Sequence, residues 1–405
     1  MNTETVKGFR DITGEEALKR EKIKQVIIKN FKLFGFVPIE TPTIEYEEFV
    51  KGENSEDEAV SDTFKLQDRG KRKLALRYEF TFQLKRVAKD KKLPFKRYQI
   101  GSVFRDEPIK PGRFREFTQC DADIIGSSEI ASDAEILALA SNIFKELKIP
   151  IEIQVNNRRL LTALVESLGS GSGEVRDKET ELQIIREIDK LDKNREEACR
   201  NLSKILGSMD KVDELLDYFD KPLKVFLEQN FPGASDILEL EKLCKIYGVK
   251  IKFVPSLARG LSYYTGNIFE IRSPKYNLSI AGGGRFNINN LPSVGISFGL
   301  DRLAELAKNI EIEKTKCLVL SIGKDKEAVE LANRLRSVGI SCSLMYGKPT
   351  KALEYANSYG IGFVIFVGEE EVKNKKFKLK DMKTGKEVFL NEKEIIKKLS
   401  EVSNG

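Results

Sequence analysis

The chain has 405 residues, enough for two or three domains, and its 40% hydrophobic and 33% charged composition is that of an ordinary folded protein. It contains no histidine and no tryptophan, which excludes any mechanism that needs a protein imidazole as base, nucleophile or metal ligand. The formal net charge is +6, and the whole excess falls in residues 314–405, which hold 18 basic against 12 acidic side chains. A small module with that excess has the footprint of a polyanion-binding appendage, or of a lysine-rich solvated surface. No stretch reaches the roughly 18 to 20 apolar residues of a membrane span, and MNTETVKGFRDITGEE lacks a charged-then-apolar signal pattern. The five cysteines are scattered and never form a CxxC pair, which points to reduced thiols in a cytoplasm and away from a zinc site.

In chain order, residues 13–35 are expected to form a helix, with Ile23, Val26, Ile27, Phe31 and Phe34 at helical spacing and Gly35 as its stop. FVPIETPTIEY follows as a proline-interrupted segment, hence an edge or interface strand. KLALRYEFT, KRYQIGSVF and RFREFTQCDADIIG read as strands, joined by a helix at 81–90 and the loop RDEPIKPGR. A helix covers about 129–147, and PIEIQVN returns to strand. SLGSGSGE is a flexible break, after which residues 174–248 are highly charged and read as several helices. Strands resume at KIKFVPSLARG, NIFEIRS, YNLSIAGGG and SVGISFGLDRL. Beyond the linker KNIEIEKTK, the alternation CLVLSIG, KEAVELANRLRSVG, ISCSLMYG, TKALEYANSYG, IGFVIFVG predicts a small α/β domain with a largely parallel core.

Strand alternation over 115–123 places Arg115, Phe117, Gln119, Asp121 and Asp123 on one face. That row is a poor core surface and a good ligand floor. Arg105, Arg113 and Arg115 lie on or beside the preceding proline/glycine turn, where planar guanidinium groups suit a phosphate-bearing substrate. ARGLSYYTG adds Arg259, Tyr263 and Tyr264 beside glycines that permit close backbone approach. By its residues alone that segment is equally a tyrosine-rich strand packed on a core. SIAGGGRF lacks the spacing of the common nucleotide-binding loops.

Together these segments resemble one family. VFRDEPIKPGRFREFTQCDADIIG, SVGISFGLDRLAEL and GFVPIETPTIEY resemble the second, third and first signature motifs of class II aminoacyl-tRNA synthetases, and the proline of the last sits at that class's dimer interface. LARGLSYYTGNIFE and AGGGRF resemble the two segments peculiar to histidyl-tRNA synthetases, and LALRYEFTFQLKRV the amino-acid-binding segment in its archaeal and eukaryotic form. The resemblance implies an α+β protein: a class II antiparallel sheet with flanking helices, a helical insertion, and a C-terminal α/β anticodon-binding domain. The implied boundaries are a catalytic domain at 1–168 and 249–310, an insertion at 169–248, and the C-terminal domain at 314–405.

The family's chemistry is attack of the histidine carboxylate on the α-phosphate of ATP, then transfer of the histidyl group to the 3′-terminal ribose of tRNA. By motif position, Arg105 and Arg259 are the implied catalytic residues. Arg105 would meet the α-phosphate, and Arg259 would bridge it to the substrate carboxylate. Glu79, Thr81 and Gln119 would hold the α-ammonium of histidine. Asp123 and Tyr264 would meet its ring nitrogens, with Tyr263 in the same wall. Phe117 would stack under adenine, with Arg302 on the other face or near the γ-phosphate, and Glu107 and Arg113 would contact the adenine and terminal phosphate regions. ATP with Mg²⁺, histidine, histidine tRNA, a homodimer without membrane attachment and a cytoplasmic location follow from the same resemblance; no protein ligand for Mg²⁺ is identified. Ser262 stands where the family usually has Asp, and Phe286-Asn287 where it has Tyr-Asp.

Overall fold

The computed structural model describes residues 1–52, 58–109, 113–168, 177–259, 263–274 and 276–401. They form two compact units, Met1–Asp11 with Lys19–Ile310 and Ile12–Leu18 with Glu311–Gly405. The break SLGSGSGE lies almost entirely outside the described residues, as do Gly260 to Ser262 and part of the arginine-bearing loop.

In the larger unit, β1 (Val37–Pro38) begins the main sheet. The short β2 (Ile44–Tyr46), β3 (Lys65–Gln67) and β4 (Lys73–Leu76) form a separate sheet in the order β2-β4-β3. The main sheet continues with β5 (Phe95–Phe104), β6 (Glu116–Ile125), β7 (Glu152–Asn157) and β8 (Lys252–Phe253). β9 (Tyr264–Ser273), β10 (Tyr276–Ile288) and β11 (Leu291–Gly299) complete the order β1-β5-β6-β11-β10-β9-β7-β8. The six central strands pair antiparallel, but β1 on β5 and β8 on β7 are parallel. The expected antiparallel sheet is therefore mixed at its edges, where long crossovers deliver the outer strands. Pro38 occupies edge strand β1, as expected, where its missing N–H interrupts no inner ladder.

Period-two alternation divides the sheet into a dry face and a wet one. Cys120, Ala122 and Ile124 of β6 and Val294, Ile296 and Phe298 of β11 join the apolar core. Helix Gly14–Leu33 covers them with Ile23, Val26, Ile27 and Phe31, and helix Ile130–Glu146 with Ile136, Leu137, Ile143 and Phe144. The intervening residues of both strands face a cavity on the opposite side.

The charged stretch after 174 is helical, as expected. Helices Lys178–Ile188, Arg195–Leu206 and Met209–Phe219 share a small core with helix Arg158–Ser167, through Leu161, Leu164, Ile185, Leu202 and Leu215. Helices Leu223–Glu228 and Ala234–Ile246 instead send Phe226, Ile237, Leu240 and Cys244 into the main core.

Two local expectations change. The strand expected over KLALRYEFT ends at Leu76, because Arg77 turns aside to donate to the carbonyls of Ser102 and Thr41, both at 2.8 Å. Residues 77–83 thereby run along the cavity, and the helix expected at 81–90 shrinks to the single turn Leu84–Val87.

The smaller unit contains β12 (Cys317–Ser321), β13 (Cys342–Tyr346), β14 (Phe363–Val367), β15 (Phe377–Asp381) and β16 (Glu387–Leu390), in the order β13-β12-β14-β15-β16. The first three are parallel, with helices Asp325–Ser337 and Pro349–Ser358 between them, as the alternation predicts. β15 and β16 add an antiparallel hairpin. Its turn is closed by Asp381 Oδ1, which accepts from the N–H groups of Lys383 (2.8 Å) and Thr384 (3.0 Å).

A buried ion pair fastens the helix Leu300–Leu306 to the sheet. Asp301 Oδ1 lies 2.6 Å from Arg20 Nη1, and Asp301 Oδ2 accepts from the Thr118 N–H at 3.0 Å. Arg10 reaches the same Oδ1 at 3.2 Å. Arg20→Met is expected to lower stability by about 2 kcal/mol, less than the ~3–5 kcal/mol typical of a broken buried pair because Arg10 remains. Urea unfolding should show a lower midpoint at an unchanged slope.

Candidate active site

A cavity of about 300 Å³ opens on the wet face of the main sheet. Its floor is the β6 row, Phe117, Gln119, Asp121 and Asp123, beside Gly295, Ser297 and Gly299 of β11. Glu79 and Thr81 enter from the turn after β4, and Tyr263, Tyr264 and Arg259 from the start of β9 and the loop before it. Arg105, Glu107, Arg113 and Arg302 surround the mouth. Every site residue implied by the family resemblance thus lines one cavity, whereas Arg115, expected on the same face by alternation, does not and pairs instead with Asp106 at 3.0 Å. Ser262 lies outside the described residues. Phe286 lines the cavity and meets the Tyr263 ring edge-on at 5.8 Å.

The floor is short of donors. Gln119 donates through Nε2 to Ser297 Oγ at 2.6 Å, which leaves Oε1 buried without a protein partner, and Asp121 Oδ1 is likewise unpartnered. Tyr263 donates to Glu79 Oε2 at 3.2 Å. Burial pushes Glu79 up to about 7, against the opposing pull of Arg105 and the Tyr263 hydroxyl. Burial likewise raises Asp121 to about 7 and Asp123 to about 6, in both cases against Arg97. Unsatisfied buried acceptors with raised carboxylates suit a ligand that brings its own positive charge and N–H donors.

The mouth carries the opposite charge. Arg105 donates to the Tyr78 carbonyl at 3.3 Å and lies 5.2 Å above the Phe117 ring. Arg113 pairs with Glu107 at 2.7 Å, and Arg259 with Glu270 at 3.4 Å. Arg302 donates to the Ser279 carbonyl. An acidic floor for an ammonium and an arginine-rich mouth for phosphates make a site for two substrates, a cationic metabolite and a phosphorylated one.

Two glycines are explained by what lies over them. A Cβ on Gly295 would stand 1.8 Å from Asp123 Oδ1, and one on Gly282 would stand 2.5 Å from Arg259 Nη1. Both strands give up a side chain so that a functional one can lie flat across the backbone. Sequence reasoning missed these glycines, and also Arg97, Ser297 and Asp301. The signal for Arg97 was present: in KRYQIG it alternates with Gln99 and Gly101, and strand pairing sets those three opposite Asp123, Asp121 and Gln119.

Comparison with known proteins follows this geometry. The Histidyl-tRNA synthetase family model matches residues 8–303, and the Anticodon binding domain model matches residues 316–402. The histidyl-tRNA synthetase from Nostoc sp. PCC 7120 superposes with a TM-score of 0.84, at 24% identity and 99% coverage of both chains. The sheet, its cavity face and the separate α/β unit are those of a class II aminoacyl-tRNA synthetase. Histidine--tRNA ligase 1 of Bacillus cereus is 35% identical over 426 residues, covering 96% of this chain and 97% of the relative. Histidine--tRNA ligase of Christiangramia forsetii is 33% identical, with 95% and 96% covered. The chain belongs to the histidyl-tRNA synthetase family. These relatives are bacterial, so the archaeal and eukaryotic-like form expected from LALRYEFTFQLKRV finds no support in them.

The raised floor carboxylates carry a stability consequence of definite sign. With its folded pKa near 7 and an unfolded one near the ordinary ~4, Asp121 binds more protons folded than unfolded between those values, so its contribution falls as pH rises through that window. Asp121→Asn removes that penalty. Its thermal midpoint should exceed that of the unsubstituted protein near neutral pH, and the gain should vanish as pH falls toward ~4.

Proposed function

We propose that this protein ligates histidine to its tRNA. It activates the amino acid with ATP to histidyl-adenylate and passes the histidyl group to the tRNA 3′ end. The observation that carries this reading is the pairing, in one cavity, of an acceptor-rich acidic floor with an arginine-lined mouth, in a chain of the histidyl-tRNA synthetase family. Glu79, Thr81 and Gln119 receive the α-ammonium, and Tyr263 holds Glu79 in place. Asp123 and Tyr264 take the two ring nitrogens. The histidine carboxylate is already a nucleophile, so no protein base is required and the lack of histidine in the chain is no obstacle.

Arg259 brings that carboxylate against the α-phosphorus. A carboxylate oxygen forms the new P–O bond while pyrophosphate departs, and Arg105 stabilises the negative charge that builds on the phosphoryl oxygens. Phe117 supports the adenine with Arg302 across from it, and Glu107 and Arg113 attend the adenine and terminal phosphate. Magnesium, if bound with ATP, would offset charge on its phosphates; no protein ligand for it is assigned. In the second step a ribose hydroxyl attacks the adenylate carbonyl and AMP leaves.

In this reading residues 1–168 and 249–310 are catalytic, 169–248 an insertion, and 314–405, with its positive excess, the part that meets the tRNA anticodon. The protein works in the cytoplasm as a homodimer; among the described residues no helix is long and apolar enough to cross a membrane. Dimerisation through residues 37–46 is supported by exposed Val37 on the edge strand of the main sheet and by exposed Ile44 and Tyr46 on β2, an edge strand of the small sheet.

Histidine-dependent exchange of pyrophosphate into ATP tests the reading. Arg259→Ala should slow that exchange by on the order of 10² to 10³, the scale of one lost transition-state contact. Unchanged exchange would remove Arg259 from the chemistry. For the assembly, Ile44→Asp should convert a dimer to a monomer by light scattering, whereas a fully active monomer before substitution would refute the interface.

A further inference from the structure

The roles above leave one buried charge without a task. Arg97 of β5 is fully buried and is not among the cavity's lining residues; it lies beside the floor, on the neighbouring strand and the same face of the sheet as Asp123. A guanidinium in such a place is costly unless an anion is held against it. Its register partner is Asp123, with Nη2 2.5 Å from Oδ2. Beyond this ion pair the guanidinium has no protein acceptor among the described residues, so Asp123 is its sole anionic partner on β6. On the other flank, Asp123 has its β11 partner Gly295, whose bare backbone lies against Oδ1. The carboxylate is thus held between a cation on one neighbouring strand and a missing side chain on the other.

We propose that Arg97 is the positioning residue of the histidine pocket: it fixes the Asp123 carboxylate across Gly295 and keeps it an acceptor for the imidazole N–H. The inference rests on the histidine reading of the site. A protonated Asp123 would keep only a neutral carbonyl oxygen as acceptor, a weaker partner for the ring N–H than the carboxylate.

The groups packed around Asp123 define why a cation is needed there. β6 contributes Asp121, the turn after β4 contributes Glu79, and the start of β9 contributes the hydroxyls of Tyr263 and Tyr264. β11 offers only Gly295 and Ser297, which carry no charge. Three carboxylates in one buried floor cannot all ionise without compensation. Arg105 acts on Glu79, whereas the cation acting on both Asp121 and Asp123 is Arg97. Removing it should move Asp123 further up, so that at neutral pH its protonated form becomes substantial and higher pH restores the carboxylate. The chain has no histidine, so no protein imidazole titrates in the same window.

The test is the KM for histidine and for ATP in pyrophosphate exchange, from about pH 7 to about 8.5, where the substrate ring is largely neutral. Arg97→Met should raise the histidine KM on the order of tenfold near pH 7, the ratio expected if Asp123 then titrates at about 8, with the loss shrinking as pH rises. The ATP KM should change by less than about twofold, and Arg97→Lys, which keeps the charge, should recover most of the loss. In an Asp123→Asn background Arg97→Met should cost nothing further. An unchanged histidine KM, or a pH-independent rise in both KM values, overturns the proposal. If Arg97→Met fails to fold, Arg97→Gln decides: a histidine KM raised alone near pH 7 supports the proposal, and an unchanged histidine KM or equal rises in both KM values overturn it. Absence of histidine-dependent exchange in the unsubstituted protein would sink the substrate reading itself, which is a different outcome from either.

Discussion

The structure turns on the separation of charge across one strand. β6 sends Cys120, Ala122 and Ile124 into an apolar helical layer and Gln119, Asp121 and Asp123 into a cavity. The dry side fixes the strand, because slipping it by one residue would drive carboxylates into the core. The wet side then holds acids at positions they would not choose, at a cost visible in the upward shift of Glu79, Asp121 and Asp123. Such a floor gains its counter-charge from Arg97 on the adjacent strand and from a ligand above. Stability given up at a preorganised site is a familiar exchange for binding selectivity.

The same opposition organises the chemistry. In the proposed function, the acceptor-rich floor orients a cationic amino acid with its carboxylate toward the arginine-lined mouth, so that the two substrates meet where the field changes sign. Arg259 stands at that boundary, supported by Glu270, which Arg272 also contacts at 2.8 Å. A protein without imidazole can run this reaction because the attacking group is supplied already ionised.

Much of this was legible in the sequence, and the illegible part has a common cause. The β6 row could be read because period-two alternation lies within nine consecutive residues, and the arginines could be read because they crowd one turn. The segment preceding β9 was ambiguous between core and pocket until the sheet placed Tyr263 beside Glu79. Arg97, Gly282 and Gly295 escaped notice because their meaning lies in a neighbouring strand: each is defined by the side chain that pairing and pleat bring against it. β15 was hidden differently, since Lys378 and Lys380 alternate with buried Phe377 and Leu379 and dilute the apolar signal. The KLALRYEFT strand failed at Arg77, whose bonds to Thr41 and Ser102 depend on chain brought in from elsewhere.

The central claim is that the acidic floor reads histidine. The most direct measurement is pyrophosphate exchange into ATP with each of the twenty amino acids supplied singly to the full-length protein. The account expects exchange with histidine alone, because only its side chain offers a ring N–H and a ring acceptor to Asp123 and Tyr264 while its ammonium satisfies Glu79 and Gln119. Comparable exchange with another amino acid, or none with histidine, would contradict it.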